Sequence, residues 1–501
     1  VLNTTGSSTP SADVALLLEG TYPYVAGGVS SWVDQVLAAH AERRFALLHI
    51  GPYPGAYRAP VYTLPKNVVD MVEIYCRGGE ADATSRRRTT QPPRKGHTPK
   101  VRVIEALRRL HLEDKVDDEL LSDLSAGDLQ VADLLHGSPA FQLCRELYAA
   151  LGNGAPFMDF FWHFRAMHVP LLRILAAPCP KAGLLHAVST GYAGLVGSIN
   201  SVRHGVPLVL TEHGLYARER ELELARASWI QDHHGAMGAR RASPLRRFWS
   251  HYFRMLSRIA YRCASRIVTL SEDNRAKQLM DGADPNKCAI VPNGVARNAT
   301  PAAPAAISAP RRRMRVGFVG RVVPIKDVLT LIRAIGLARR QVDLECWIVG
   351  PDSEDPVYAA RCRSMVEALG LTDDIKFLGS QQVAEIYPQL DALVLTSFSE
   401  GQPLVILEAF AHGLPVIATD VGACRELIEG GDADRRLGRA GIVTRVASPA
   451  ETAAALIELA RRPATRQAMG AVGAARVATR YQLEQVVAIY DSLYQTCMVS
   501  P

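Results

Sequence analysis

The sequence has no stretch approaching roughly 18 uninterrupted apolar residues, so nothing in it reads as a bilayer-spanning helix. Its most apolar run, 404–418, is broken by Glu408, His412, Gly413 and Pro415. The opening VLNTTGSSTPSAD is polar and lacks a basic segment followed by an apolar one, so no secretion signal is expected. Cysteines are few, odd in number and irregularly spaced, at 76, 144, 179, 263, 288, 346, 362, 424 and 497. That pattern argues against a disulfide frame or a zinc site and suits reduced thiols, hence an expected cytoplasmic protein. No Asp-x-Asp motif stands at the end of a strand-like run, so no metal or other cofactor is expected. The formal charge of +7 favours anionic ligands or an anionic surface. No nucleic-acid motif accompanies that charge, so nucleic acid is not an expected partner.

At 501 residues the chain exceeds one ordinary core, and two domains are expected. The hydrophobic fraction of 48% and charged fraction of 21% are those of a globular enzyme. Short β-branched or apolar runs alternate with longer helical patterns, which predicts parallel sheets built from βαβ units, an α/β fold. Strands are predicted at 14–20, 45–51, 184–190, 207–213, 265–271 and 288–294, then at 315–321, 344–350, 375–380, 392–397, 415–420 and 440–445. Between the two sets lies ARNATPAAPAAISAPRRR (296–313), rich in Ala and Pro with no periodic apolar face, which reads as a linker. The expected organisation is an N-terminal Rossmann-like domain over 1–300, with a helical insertion at about 78–180, and a C-terminal Rossmann-like domain over 314–480. The two would face each other across a cleft, with a last helix at 481–501 packing back toward the first domain. The basic stretch SRRRTTQPPRKGHTPK (85–100) reads as a solvated loop, and ARRASPLRRFWSHYFRML (239–256) is read the same way, its aromatic and leucine positions as core; contact with a membrane or partner is the other reading for both.

Ligands in such sheets bind beyond the carboxyl ends of the strands. In TSFSEGQPLVILEAFAHG (396–413) a strand ends, Glu400, Gly401 and Gln402 form a loop, Pro403 suits the first turn of a helix, and Gly413 closes it. The free amides from Glu400 to Leu404 are a natural seat for a phosphate. Glu400 before that seat and Glu408 behind it could hold the hydroxyls of a sugar and of a ribose. Both could instead be surface residues, but Glu408 interrupts an apolar run, and a buried carboxylate needs partners. In VGFVGRVVPIKD (316–327) a strand ends in Gly320, and Arg321 and Lys326 follow as two cations suited to a diphosphate. Near the start, Gly27 and Gly28 would let the backbone approach a phosphate at a helix start. His213, at the end of another strand, could by itself be an ordinary hydrogen-bonded histidine. Arg218 and Glu219, in the charged run after it, are outer candidates for acceptor contacts.

The pattern GR-x4-K followed by EG-x-P-x4-E resembles the signature of the family-4 retaining glycosyltransferases, which have the GT-B fold. That resemblance implies a metal-independent transfer in which Arg321 and Lys326 bind the donor diphosphate, Glu408 the ribose hydroxyls and Glu400 the transferred sugar. It further implies that the Gly27–Gly28 loop covers the diphosphate and that His213 meets the donor sugar near its reacting carbon. DVGACRE (420–426) resembles the family's following loop, with Ala423 where a second glycine is usual, and PNGV (292–295) fits the pattern at the end of the first domain. LLLEGTYPYVAGGVSSW (16–32), FRAMHVPLL (164–172) and TEHGLYARERELE (211–223) resemble the cytosolic glycosyltransferases of Pel exopolysaccharide synthesis. This implies a UDP-sugar donor, an oligo- or polysaccharide acceptor, and inner-membrane Pel synthesis proteins as partners. A UDP-sugar epimerase of the same fold and a catalytically silent UDP-sugar-binding subunit are the rival readings.

Overall fold

A computed structural model describes residues 12–57, 59–78, 99–126, 131–227, 229–230, 243–296 and 313–499. The basic stretch 85–98, residues 239–242 and the linker 297–312 lie outside them. The polypeptide divides into two compact units. Unit 1 comprises Val1–Thr269, Arg275–Ala289 and Asp491–Pro501, and unit 2 comprises Leu270–Asn274 and Ile290–Tyr490.

Unit 1 is built on seven strands: β1 (Ala12–Glu19), β2 (Phe45–Gly51), β3 (Val68–Tyr75), β4 (Ala182–Ala187), β5 (Leu208–Glu212), β6 (Arg266–Thr269) and β7 (Cys288–Ile290), whose last residue falls in unit 2. They lie in the order β3-β2-β1-β4-β5-β6-β7, and the pairings from β3 to β6 are parallel. All seven residues of β2 are buried, the near-continuous apolar run expected of a parallel strand covered on both faces. Helix α1 (Gly28–Ala39) follows β1. Between β3 and β4 come α2 (Pro99–Leu112), α3 (Asp118–Ser125), α4 (Val131–His136), α5 (Ser138–Leu151) and α6 (Phe157–Leu175). These are the expected helical insertion. Leu107, Leu124, Leu147 and Phe164 from its helices join the same buried cluster as Leu17 and Leu48 of the sheet, so it extends the unit's own core. Helices α7 (Tyr192–His204), α8 (Tyr216–Arg226), α9 (Pro244–Cys263) and α10 (Glu272–Met280), whose first three residues fall in unit 2, complete the alternation. Strand β3 was not expected: it is an edge strand with most of its residues partly exposed, so its apolar pattern is diluted.

Unit 2 repeats the plan with β8 (Met314–Val319), β9 (Leu344–Val349), β10 (Ile375–Gly379), β11 (Ala392–Leu395), β12 (Val416–Thr419) and β13 (Gly441–Thr444). Their order is β10-β9-β8-β11-β12-β13, all parallel. Its helices are α11 (Val328–Ala338), α12 (Pro356–Ala368), α13 (Val383–Ile386), α14 (Leu404–Ala411), α15 (Cys424–Glu429), α16 (Pro449–Arg461), α17 (Pro463–Arg480) and the start of α18 (Leu483–Val499), whose residues from Asp491 on fall in unit 1. The strand order reverses between β1 and β4 in unit 1 and between β8 and β11 in unit 2. Each reversal is a topological switch point, where α/β sheets bind ligands beyond their strand ends.

The division differs from the expected boundary, which gave residues up to 300 to the first domain. Residues 290–296 group with unit 2 because their backbone and Asn293 bond there. Val295 donates to Tyr481 O at 2.9 Å and accepts from Leu483 N at 3.0 Å. Asn293 donates through its backbone N–H to Gln402 Oε1 at 2.6 Å and through Nδ2 to Gln402 O at 3.1 Å.

Candidate active site

The candidate residues fall into two groups, one in each unit. In unit 2, β8 ends and Gly320 and Arg321 follow at the switch point. A single 3-10 turn, Pro324–Lys326, leads to Asp327, which adopts a left-handed backbone with φ 45° and caps α11. Asp327 accepts a hydrogen bond from Thr330 Oγ1 at 2.6 Å. Thr396, just past β11, donates to the carbonyl oxygens of Asp327 at 2.9 Å and of Lys326 at 3.2 Å. This clamp turns the chain so that Lys326 Nζ lies 2.5 Å from Glu400 Oε1, and Ser397 Oγ donates to the same oxygen at 2.5 Å. Lys326 and Glu400 are therefore brought together. Arg321 stands apart from them: its guanidinium donates to both carboxylate oxygens of Glu354 at 2.7 Å, in a pair roughly half exposed to solvent.

Glu408 lies one helical turn into α14. Burial pushes its carboxyl above the ordinary range, opposed by a hydrogen bond from Tyr387 and the nearby His412. The Tyr387 hydroxyl donates to Glu408 Oε2 at 2.6 Å, and the Tyr387 ring stacks on His412 with centroids 5.1 Å apart. The partner that a carboxylate in an apolar run requires is thus supplied partly by the protein. Pro403 is not in the first turn as expected but is the N-cap of α14, with extended backbone, because the helix begins at Leu404. No side chain caps that N-terminus, so its first amides keep their capacity for an anion. The side chain of Gln402 is committed elsewhere. It is buried, accepts from Asn293 and donates to Leu270 O at 3.2 Å. Its backbone carbonyl oxygen accepts from Asn293 Nδ2 as well, which leaves the backbone N–H.

The turn after β12 rests on this loop. Gly422 has φ 51°, and a Cβ there would lie 2.1 Å from the Glu400 carbonyl oxygen and 2.4 Å from that of Gly401. Ala423, which stands where a second glycine was the usual pattern, has φ −81° and donates its N–H to Gly401 O at 2.8 Å. That conformation is open to any L-residue, so alanine fits.

In unit 1, Gly27 caps α1 with extended backbone and Gly28 is its first residue. Both are exposed, a Cβ on either would meet nothing within 4 Å, and no side chain caps the helix. The other helix at this switch point, α7, is already satisfied. Glu19, at the end of β1, accepts from Tyr192 N at 2.7 Å and from the Tyr216 hydroxyl at 3.2 Å. The carboxylate of Glu19 thus fills one helix N-terminus and leaves that of α1 to a ligand. His213 is buried, its ring edge-on to Trp32 of α1 at 4.7 Å, and its Nε2 has no hydrogen-bond partner. Burial lowers its pKa to about 4, so the imidazole is neutral near pH 7. Its neighbour Glu212 is structural, accepting from Tyr261 at 2.7 Å, Gln278 at 2.8 Å and Thr190 at 3.0 Å. Arg218 is held by Asp281 at 3.2 Å. Among the described residues, no three His, Cys, Asp or Glu side chains gather as a metal site would require.

A family model described as Domain of unknown function (DUF3492) matches residues 12–286, more than half of the chain. The chain belongs to that family. In this DUF3492 member, residues 313–462 match a second model, Glycosyl transferases group 1, so unit 2 carries a group 1 glycosyl transferase domain. A D-inositol 3-phosphate glycosyltransferase of Geodermatophilus obscurus is 34% identical over 250 residues, covering 46% of this chain and 51% of that protein. An MMP alpha-(1->4)-mannosyltransferase of Mycolicibacterium hassiacum is 26% identical over 311 residues, covering 60% of this chain and 67% of that protein. The DUF3492 chain thus spans about half to two thirds of the length of these relatives. Among solved structures, Anabaena Alr3699/HepE in complex with UDP and glucose matches with a TM-score of 0.57 at 15% identity, over 97% of this chain and 100% of that one. Sucrose-phosphate synthase from Thermosynechococcus elongatus matches with a TM-score of 0.59 at 16% identity, over 97% and 98%. These likenesses show the fold, the GT-B type with two Rossmann-like domains.

Four contributors to the candidate residue groups carried little sequence signal. Glu19 closes β1 and Glu354 follows β9 in GPDSE, where any residue at a strand end or turn looks alike. Thr396 and Tyr387 act through hydroxyls that reach across from neighbouring segments, which only the folded arrangement reveals.

Proposed function

We propose that this protein is a retaining glycosyltransferase that moves a hexose or N-acetylhexosamine from a UDP-sugar to a growing exopolysaccharide of the Pel type. The observation that carries the reading is the Lys326–Glu400 contact at 2.5 Å, at the switch point of a group 1 glycosyl transferase domain and beside the uncapped N-terminus of α14. In this reading Arg321, Lys326 and the α14 amides neutralise the diphosphate as it leaves, and loss of one such donor costs about 3–4 kcal/mol of barrier. Glu408 receives the ribose hydroxyls and Glu400 a hydroxyl of the transferred sugar. Retaining glycosidases use a carboxylate nucleophile about 5 Å from the acid. Here Glu400 already engages an ammonium and a hydroxyl, which suits it to orient a sugar. The departing diphosphate then deprotonates the acceptor on the same face of the ring, and no metal is required. In unit 1 the exposed Gly27–Gly28 turn at the start of α1 suits a phosphate and neutral His213 a sugar hydroxyl, the roles that the family resemblance implies. The sugar-transferring relatives, and the UDP bound in the solved HepE structure, support the donor class.

The Pel assignment is supported by the likeness of residues 16–32, 164–172 and 211–223 to that group of enzymes. It carries with it a place on the cytoplasmic side of the inner membrane, reached through membrane partners. No helix among the described residues is long and apolar enough to cross a membrane.

Calorimetry with UDP, UDP-Glc, UDP-GlcNAc, UDP-GalNAc and a GDP-sugar tests the donor. The expected result is binding of UDP and at least one UDP-sugar, lost or strongly weakened in Arg321→Ala and Glu408→Ala variants whose melting curves show them folded. Equal UDP affinity in wild type and Glu408→Ala would overturn the ribose role. Turnover that stops with EDTA and returns with Mg²⁺ would overturn the metal-free mechanism. Conversion of UDP-GlcNAc to its epimer without acceptor would favour an epimerase.

A further inference from the structure

The segment after β2, GPYPGAYRAPVYTLPKN (51–67), takes no part in the roles above, yet it is unusually rich in Tyr and Pro. Proline fixes φ and limits the unfolded alternatives, so such a loop presents its rings with little entropy left to lose. Its backbone is tied to the loop that precedes α1: Val61 N and Tyr62 N both donate to Pro23 O, at 2.8 and 3.2 Å. The Tyr57 ring stacks on Tyr24 with centroids 5.0 Å apart and planes 11° from parallel. Tyr24 and Tyr75 both donate to the carboxylate of Glu73, an exposed residue of β3. Tyr53 is 49% exposed, and Val61 and Leu64 of the same loop are exposed too. The surface runs on to the candidate site, because the Tyr62 hydroxyl lies 3.3 Å from Ser31 Oγ and Ser31 N donates to Gly27 O in the first turn of α1.

We propose that this tyrosine cluster, Tyr24, Tyr57 and Tyr75 at Glu73, with the exposed Tyr53 on the same loop as Tyr57, is a subsite for the acceptor saccharide chain. A pyranose offers an apolar C–H face to an aromatic ring and hydroxyls or an amine at its rim, which matches tyrosine faces bordered by a carboxylate. The negative charge of Glu73 opposes an anionic lipid or polyanion and suits a neutral or ammonium-bearing sugar. The cluster rests on the transferase reading only for the name acceptor; binding of a glycan stands by itself.

The test uses the whole chain and two probes, chitotetraose in its free-amine form and its fully N-acetylated counterpart, followed by saturation-transfer NMR and calorimetry. Wild type binds at least one of them. Tyr57→Ala weakens that binding roughly tenfold and the surface variant Tyr53→Ala by a few-fold, about the worth of one aromatic contact. Glu73→Gln weakens the amine form more than the acetylated one, and UDP affinity is unchanged in all three variants. Absence of binding of both tetrasaccharides to wild type, or unchanged affinity in both tyrosine variants, overturns the proposal. Wild type that binds a tetrasaccharide but not UDP would leave the subsite standing and remove the transferase reading.

Discussion

Lys326 and Glu400 meet at 2.5 Å from the ends of β8 and β11, with side chains only 19% and 10% exposed. Neither charge is fully in water, so removing one leaves the other poorly compensated, a cost of about 1–3 kcal/mol. Lys326→Ala and Glu400→Ala are each expected to lower the melting temperature, and the double variant to lose less than the sum. Calorimetry separates their ligand roles. Lys326→Ala weakens UDP itself, whereas Glu400→Gln leaves UDP within about twofold, since UDP carries no hexose, and weakens only the added sugar. Additive melting shifts would show that the two side chains do not cooperate.

Gly422 and Ala423 give a paired expectation one residue apart. A Cβ at Gly422 would collide with the carbonyls of Glu400 and Gly401, both backbone atoms, and its φ of 51° disfavours L-residues. Gly422→Ala is therefore expected to displace the Glu400 loop, lower stability by about 2 kcal/mol or more, and reduce sugar transfer at least tenfold. Ala423→Gly restores the glycine pair yet gains nothing. The N–H to Gly401 O is kept, one buried methyl is lost, and stability falls by about 1 kcal/mol with transfer retained. Thermal melts and initial rates on the two variants check both halves.

The two sheets and most of the unit 2 constellation were legible because parallel strands buried on both faces print themselves as apolar runs. Twelve runs were expected, and each coincides with a strand. Strand β3 escaped because an edge strand keeps most of its residues at least partly in water, and VVDMVEIY mixes carboxylates into the alternation. Arg321, Lys326, Glu400 and Glu408 could be singled out because each follows a strand end or breaks an apolar helix. Their partners could not: Glu354 and Tyr387 reach them from other loops. The grouping of 290–296 with unit 2 was hidden for the same reason. It depends on Gln402 and on residues 481–483, far along the chain from Asn293 and Val295.

His168, His186 and His213 are buried, with pKa values lowered to about 4, about 3 and about 4, and burial pushes His111 well down as well. All four lie in unit 1. His111 Nε2 sits 2.9 Å from His168 Nε2, and His186 bonds Tyr494 and Thr211 at 2.8 Å each. In the unfolded chain these rings take up protons near pH 6.5, in the folded chain only well below that. The unfolded state therefore binds more protons in between. Stability contributed by each histidine is full above pH 6.5 and falls by up to about 1.4 kcal/mol per pH unit as pH drops toward its folded value. Glu19 and Glu212, raised by burial, work in the opposite direction but are outnumbered. In residues 290–490 His412 is the sole histidine, so the four lowered imidazoles all lie outside that span. Urea unfolding at pH 7.5, 6.0 and 5.0, followed by tryptophan fluorescence, reads mostly unit 1, which holds Trp32, Trp162, Trp229 and Trp249 against Trp347 in unit 2. The midpoint should fall with pH, and His168→Gln should flatten that fall. A midpoint independent of pH from 7.5 to 5.0 would mean that these histidines are not held neutral by burial.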